Sequence, residues 1–229
     1  LGLFLFYTSN ELGDLPDFFF TTSWYFSSGI GGVFALFAAR KYGINNSIGK
    51  FLIFTGLGLL SSLIGTLIWD YHIFILGTDT PYPSIADIFY ILPTPLIAIG
   101  LIFLLNVYSV NIKKKFIWLG GLLALILFGT FISIQGKELF LEIGEFQVAF
   151  FNILYNLNDS IALPMALMAL IMMGGKIFKG FSIFVIGFLL QAVANLTFGF
   201  RNLYEIYYFG DISDVFFVLS SAIMSIGII

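Results

Sequence analysis

Along this chain, apolar runs about as long as a membrane is thick alternate with short polar segments. A helix crossing a bilayer needs about 20 mostly apolar residues. Seven runs meet or approach that length: 18–39, 51–69, 87–108, 116–134, 155–173, 181–200 and 214–229. Asp17 and Arg40-Lys41 bound the first. Lys50 and Asp70 bound the second, and Lys179 and Arg201 the sixth. The runs are apolar all round, as expected of helices in lipid or deeply buried ones. The expectation is therefore an all-α, polytopic transmembrane bundle of about seven spans, treated as a single transmembrane domain over residues 1–229. Residues 1–8 read as the tail of a preceding helix. The chain opens on Leu1 and closes on Ile229 in apolar sequence, so it reads as a window from a longer chain. Residues 135–150 set Leu139, Phe140, Ile143, Phe146 and Phe150 against Lys137, Glu138, Glu142 and Glu145. That pattern predicts either a helix lying on the outer surface or an outward extension of the fifth span.

Composition sharpens this picture. Hydrophobic residues make up 59% of the chain and charged residues only 10%, against about 25% charged in an ordinary soluble protein. Too little polar surface is present to wrap a water-soluble core. There is no Cys, which removes disulfides, thiolate catalysis, Fe–S clusters and Cys-based zinc sites. No basic cluster suggests nucleic acid.

The charges also give an orientation. Eight of the ten basic residues lie in three loops: Arg40, Lys41, Lys50, Lys113, Lys114, Lys115, Lys176 and Lys179. The positive-inside rule places those loops in the cytoplasm. All 13 acidic residues fall in the opposite loops or in the outer part of a span. The first full span then begins outside a cell membrane, and Ile229 approaches the cytoplasm.

A repeat is visible. Gly13-Asp14-Leu15-Pro16-Asp17-Phe18-Phe19-Phe20, Pro83-Ser84-Ile85-Ala86-Asp87-Ile88-Phe89-Tyr90 and Gly210-Asp211-Ile212-Ser213-Asp214-Val215-Phe216-Phe217 each set an Asp before aromatic residues. Gly29, Gly100 and Gly227 follow at 12 to 13 residues. A looser copy surrounds Asp159. Successive Asp residues at 17, 87, 159 and 214 are 70, 72 and 55 residues apart, room for one helical hairpin each. An Asp at a helix N-terminus caps free N–H groups and meets the positive end of the macrodipole. Capping is the first reading of Asp17, Asp87 and Asp214, and ligand binding by one of them the second.

The stretch Trp69-Asp70-Tyr71, Leu76-Gly77, Pro81-Tyr82-Pro83-Ser84-Ile85-Ala86-Asp87-Ile88-Phe89-Tyr90-Ile91-Leu92 and Pro95-Leu96-Ile97-Ala98-Ile99-Gly100-Leu101 resembles the multi-span N-terminal membrane region of some prokaryotic signalling proteins. Those proteins carry a diguanylate cyclase, phosphodiesterase or histidine kinase domain in the cytoplasm. Gly210–Leu219 is similar to a later repeat of that region. Thr94 departs from the tyrosine favoured before Pro95, and Pro93 adds a second proline. The resemblance implies a sensory membrane module, and these 229 residues contain no output domain.

Candidate chemistry concentrates in the fifth and sixth spans. Asp159 lies 17 residues before Lys176, and Asn195 lies 16 residues after Lys179. Counted from their shared loop, both sit about 25 Å deep at about 1.5 Å per residue, so adjacent antiparallel helices let them meet. Asn156 and Asn158 lie above them and Gln191 one turn below Asn195. A carboxylate inside a span is costly and faces protein or water. The cluster reads equally as interhelical glue and as a ligand or proton site. Arg201 is a candidate partner for Asp159, Glu205 or Asp214. Pro164 frees the Ser160 carbonyl, and Pro93 and Pro95 free those of Phe89 and Ile91, so both helices are expected to kink. Asp70, His72 and Asp79 share a loop with Asp87, and carboxylates with one imidazole are a ligand set for a divalent ion. Their spacing fits no metal motif, so no metal is assigned.

Lysines fall only in loops, which leaves none for a retinal Schiff base. No paired His suits haem, no Ser–His or Ser–Lys pair suits a hydrolase, and no phosphate loop is present. No cofactor and no catalytic residue are expected. The leading function is a sensory or signal-relay module in the lipid bilayer, coupled to a cytoplasmic signalling domain. The alternatives are an accessory subunit bound to other membrane subunits and, ranked last, a small-solute or ion transporter.

Because the chain has no native Cys, its orientation can be tested with single cysteines. Thr78→Cys is expected to react with a membrane-impermeant maleimide in intact cells, and Lys114→Cys only after permeabilisation. The reverse pattern would invert the topology.

Overall fold

A computed structural model describes residues 15–78, 80–107, 114–141, 146–173, 179–204, 206–208 and 210–228, with only the backbone described for 15–21, 116, 135–141, 173, 179–180 and 203. The short run at residues 1–7, Asp79, Glu142, Glu145 and Glu205 lie outside the described residues, and Asp17 is described by its backbone alone.

Every element among the described residues is helical. We label them α1 (Leu15–Tyr42), α2 (Ser47–Asp70), α3 (Ile85–Ile91), α4 (Pro93–Val107), α5 (Lys114–Leu141), α6 (Phe146–Met173), α7 (Lys179–Leu203) and α8 (Ile212–Ile228). A π-helical turn, Tyr71–Leu76, prolongs α2. Five helical rods are long and apolar enough to cross a membrane: Ser47–Leu76, Ile85–Val107, Ile117–Ile134, Phe146–Met172 and Phe181–Asn202. The apolar helix Ile212–Ile228 is shorter.

Local chemistry sets the boundaries. Gly43 closes α1 in the left-handed region (φ 90°), where only glycine is unstrained. Asn46 then caps α2, its side chain accepting from the Gly49 N–H at 2.7 Å and donating to the Tyr42 carbonyl. Gly77 (φ 64°) ends the π turn in the same way. Ser84 and Asp87 form a reciprocal capping box on α3.

The run at 87–108 is two helices rather than one. They meet at Leu92, with Pro93 as the first residue of α4, a position where its missing N–H costs nothing. The two carbonyls the prolines release are both taken up by neighbours. Ser61 Oγ of α2 donates to the Phe89 carbonyl at 2.8 Å. Asn158 Nδ2 of α6 donates to the Ile91 carbonyl at 3.0 Å. Pro164 is accommodated inside α6, which runs unbroken on either side of it. Residues 135–141 continue α5 and 146–150 open α6, so the described parts of the amphipathic stretch prolong two helices, and 142–145 lie outside the described residues.

The helices close into a ring in the order α1, α2, α4, α6, α7, α8 and back to α1, with α5 packed outside against α6. Phe51, Leu59, Ile97, Leu101, Leu104, Ala162, Ala166, Phe184, Val185, Phe188 and Met224 fill its centre. Phe51 of α2 meets Phe181 and Phe184 of α7 edge-on, with ring centroids 5.4 and 5.1 Å apart, the arrangement favoured by aromatic quadrupoles. The surface is apolar too: Trp118 (77%) and Leu125 (69%) of α5 and Phe37 (65%) of α1 are largely exposed. At the basic end Lys50 Nζ lies 5.3 Å from the Phe103 ring centroid, a cation–π contact.

Close helix approach depends on missing side chains. A Cβ on Gly187 of α7 would lie 2.7 Å from the Met224 nitrogen and 3.0 Å from the Ser220 carbonyl oxygen of α8. One on Gly31 of α1 would lie 2.6 Å from Ser225 Cβ. Gly187→Ala is therefore expected to cost roughly 1–3 kcal/mol by overpacking, read as a fall in Tm in detergent. Gly129→Ala on α5, where nothing stands within 4 Å, is expected to be neutral or slightly stabilising.

Candidate functional site

A chain of side-chain hydrogen bonds crosses the apolar interior. Asn195 Nδ2 of α7 donates to Asp159 Oδ1 of α6 at 2.6 Å. One turn away on α7, Gln191 Nε2 donates to Asn195 Oδ1 at 3.3 Å. Ser220 Oγ of α8 donates to Gln191 Oε1 at 2.5 Å. The next residue carries the seam onward, because Ser221 Oγ and Ser27 Oγ of α1 share a hydrogen bond of 2.7 Å. Ser225 Oγ donates to the Ser27 carbonyl at 2.6 Å. Four helices are thus laced through polar groups that are mostly buried: Asp159 is 9% exposed, Ser220 0% and Ser221 3%.

Helix geometry explains this order. Gln191 and Asn195 are four residues apart and share a face, as do Ser221 and Ser225. Ser220 and Ser221 point to different neighbours, so one reaches α7 and the other α1. The close α7–α8 and α1–α8 crossings at Gly187 and Gly31 bring these short side chains within reach of one another.

The other sequence candidates are used differently. Asn158 is committed to the Ile91 carbonyl at the α3–α4 joint. Asn156 is buried one turn before Ser160, and its carbonyl accepts from Ser160 Oγ at 2.6 Å. Asp159 lies well inside α6, because the helix starts at Phe146 rather than near Tyr155, so this copy of the Asp repeat is no helix cap. Arg201 pairs with Asp211 and donates through Nη2 to the Ile206 carbonyl at 3.1 Å. It meets neither Asp159 nor Asp214. The reason is local: the chain turns back directly after α7, and Asp211 caps α8 through the Ile212 N–H beside the last turn of α7.

At the same end of the bundle, carboxylates pair with tyrosines. Asp87 accepts from the Ser84 N–H at 2.6 Å and from Tyr155 Oη at 2.8 Å. Asp214 accepts from the Gly210 N–H at 2.9 Å and from Tyr207 Oη at 3.1 Å. Burial, then the neighbouring Asp214 carboxyl, pushes the Tyr207 hydroxyl well above the ordinary phenol range, so it stays a neutral donor. Both aspartates sit at the third helical position, where free backbone N–H groups are available. Asp70 differs. It lies in the closing turns of the α2 rod and accepts from Tyr25 Oη of α1. His72 lies in the adjoining π turn with its ring against Tyr71. Among the described residues, no three His, Cys, Asp or Glu come together in a way that would hold a metal ion.

The sequence reading missed Ser27, Ser220, Ser221, Ser225 and Ser61, and the tyrosines 25, 155 and 207. The serine spacing at 221 and 225 was a signal: small polar residues one turn apart in an apolar span mark a helix contact. Nothing local marked which aspartate each tyrosine reaches.

A scan against protein-family models finds no match, and searches of curated proteins and of solved structures find none either.

Interhelical hydrogen bonds between apolar helices contribute about 0.6 kcal/mol on average and up to about 1.7 kcal/mol. Asn195→Ala strands the Asp159 carboxyl as well, so its loss is expected at the upper end or beyond. Asn195→Ala in an Asp159→Leu background is expected to cost much less. A double-mutant cycle of unfolding in detergent measures the difference, and additive effects would deny the coupling.

Proposed function

We propose that this chain is a membrane-embedded sensory module of about seven spans, arranged as helical hairpins in a cell membrane with the acidic end outside. It perceives a stimulus at that end or within the bilayer and passes a helix displacement to a signalling domain on the cytoplasmic side. The observation that carries this reading is the hydrogen-bonded seam from Asp159 through Asn195, Gln191 and Ser220, continued by Ser221 and Ser27. A ladder of amides and hydroxyls between packed helices has discrete alternative pairings, since each amide can exchange donor and acceptor partners. A relay needs two such packings that the stimulus stabilises unequally. The joint at Leu92 supports the reading as well: Asn158 ties it to α6, the helix that carries Asp159. The resemblance at Pro81–Leu101 points the same way.

In the protein purified from its native membrane, peptide mapping beyond residue 229 is expected to find a soluble signalling domain. Asp159→Asn is expected to shift that domain's basal activity severalfold while the protein still folds. A chain lacking such a domain, and copurifying in fixed stoichiometry with a larger enzyme, would make it an accessory subunit. Solute flux into liposomes that Asp159→Asn abolishes would make it a transporter.

A further inference from the structure

The seam at Asp159 has a direction. A carboxylate only accepts hydrogen bonds, so Asn195 turns its Nδ2 toward Asp159 Oδ1, 2.6 Å away. Asn195 Oδ1 is left to accept from Gln191 Nε2 at 3.3 Å. Gln191 Oε1 is left to accept from Ser220 Oγ at 2.5 Å. One acceptor-only group thereby orients two amides on α7 and a hydroxyl on α8.

The same atoms support the opposite direction. A protonated carboxyl carries one O–H donor. Donated to Asn195, it calls for Oδ1 where Nδ2 stood, and a half-turn of a side-chain amide exchanges oxygen and nitrogen with almost no change of shape. Asn195 Nδ2 would then donate to Gln191 Oε1, and Gln191 Nε2 to Ser220 Oγ. The Ser220 hydrogen, displaced from Gln191, has a second acceptor in place, because the Phe217 carbonyl stands 2.8 Å from Ser220 Oγ. Each direction gives every link a donor and an acceptor. We propose that Asp159 binds a proton as the stimulus of this module, and that the proton reverses the hydrogen-bond direction from α6 through α7 to α8.

Titratable groups on the helices around the seam are engaged elsewhere. On α3, Asp87 accepts from Tyr155 of α6, and Tyr90 faces Thr66. On α7, Arg201 pairs with Asp211, and on α8 Asp214 accepts from Tyr207. α4 carries no titratable residue. Lys114 and Lys115 of α5 are exposed at the basic end, and the side chains of Lys137, Glu138 and Lys179 lie outside the described residues. Asp159 itself is met by a neutral amide, which serves a charged and a neutral carboxyl alike.

Reversal also changes the spacing that the α7–α8 link prefers. That link passes from O–H···O, which settles near about 2.7 Å, to N–H···O, which settles near about 2.9 Å. The strain falls on a tight crossing, where a Cβ on Gly187 would lie 2.7 Å from the Met224 nitrogen. Packed interfaces switch between arrangements rather than deform continuously, so a small change there is amplified. The inference deepens the relay reading and rests on it for its consequence.

The test is infrared difference spectroscopy of the full chain in detergent as the pH is lowered. The carbonyl band of a protonated carboxyl is expected to grow in together with shifts of the side-chain amide bands. Asp159→Asn is expected to lose both, and Gln191→Leu to keep the carboxyl band and lose the part of the amide shift that Gln191 contributes. A difference spectrum unchanged by Asp159→Asn, or a carboxyl band with no amide shift, would overturn the proposal. Should Asp159→Asn fail to fold, Asp159→Glu is expected to move the carboxyl band in frequency, and an unmoved band would count against the site equally. Reversal without a matching pH response of the cytoplasmic domain upholds the proton switch and removes the relay. An output that Asp159→Asn alters without any reversal removes the switch and leaves the relay to another stimulus.

Discussion

A polar group inside this bundle has only the protein to bond with. The helices present Phe, Ile and Leu outward as well as inward, and five of the rods are long and apolar enough to cross a membrane. Where water is absent, an unsatisfied donor or acceptor costs several kcal/mol. Much of the structure follows from that. The carbonyls freed by Pro93 and Pro95 draw Ser61 and Asn158 from two flanking helices, which fixes the α3–α4 joint between α2 and α6. The hydroxyls of Ser28, Thr66, Thr130, Ser133, Ser160 and Thr197 fold back on carbonyls of their own helices.

The same constraint decides where helices touch. With apolar surfaces on all sides, burial discriminates weakly between one neighbour and another. Contact is selected by small residues that let backbones approach and by hydrogen bonds that then become possible. Gly187 and Gly31 bring α8 against α7 and α1, and the serines of α8 reach Gln191 on one side and Ser27 on the other. None of the described glycines of α5 makes a comparable close approach. The helix packs on α6 from outside, and its glycines 121 and 129 face open space.

Polar groups separate along the bundle axis. The Asp159 seam lies within the spans and ties four helices laterally. The tyrosine-paired carboxylates lie at one end, and the Asp87 and Asp214 pairs close two connections there. Among these three carboxylates, Asp70 is the one with an oxygen that meets no hydrogen-bond partner among the described residues. Asp70 joins α2 to α1 through Tyr25, and α1 in turn bonds to α8 through Ser27.

The sequence alone determined the helices and most of their punctuation, because these depend on neighbours in the chain. Apolar runs of bilayer length, Gly43 and Gly77 at helix ends, the Ser84–Asp87 cap and the carbonyls released by the prolines are all local. Depth was also readable: Asp159 and Asn195 count equally from one loop, and straight helices convert residue counts into distance. Partners were not readable. Arg201 had Asp159, Glu205 and Asp214 as candidates by position; it pairs with Asp211, because the α7–α8 turn folds it there, and Glu205 lies outside the described residues. Asn158 is next to Asp159 in sequence but lies about 100° round α6 from it, where it donates to the Ile91 carbonyl at the α3–α4 joint. Tyr25 and Asp70 are separated by 45 residues and meet only once the α1–α2 hairpin closes. In a chain this apolar, nearly every helix face looks alike in sequence. Only the packed ring, set by small residues and by the demand that buried polar groups be paired, distinguishes one neighbour from another.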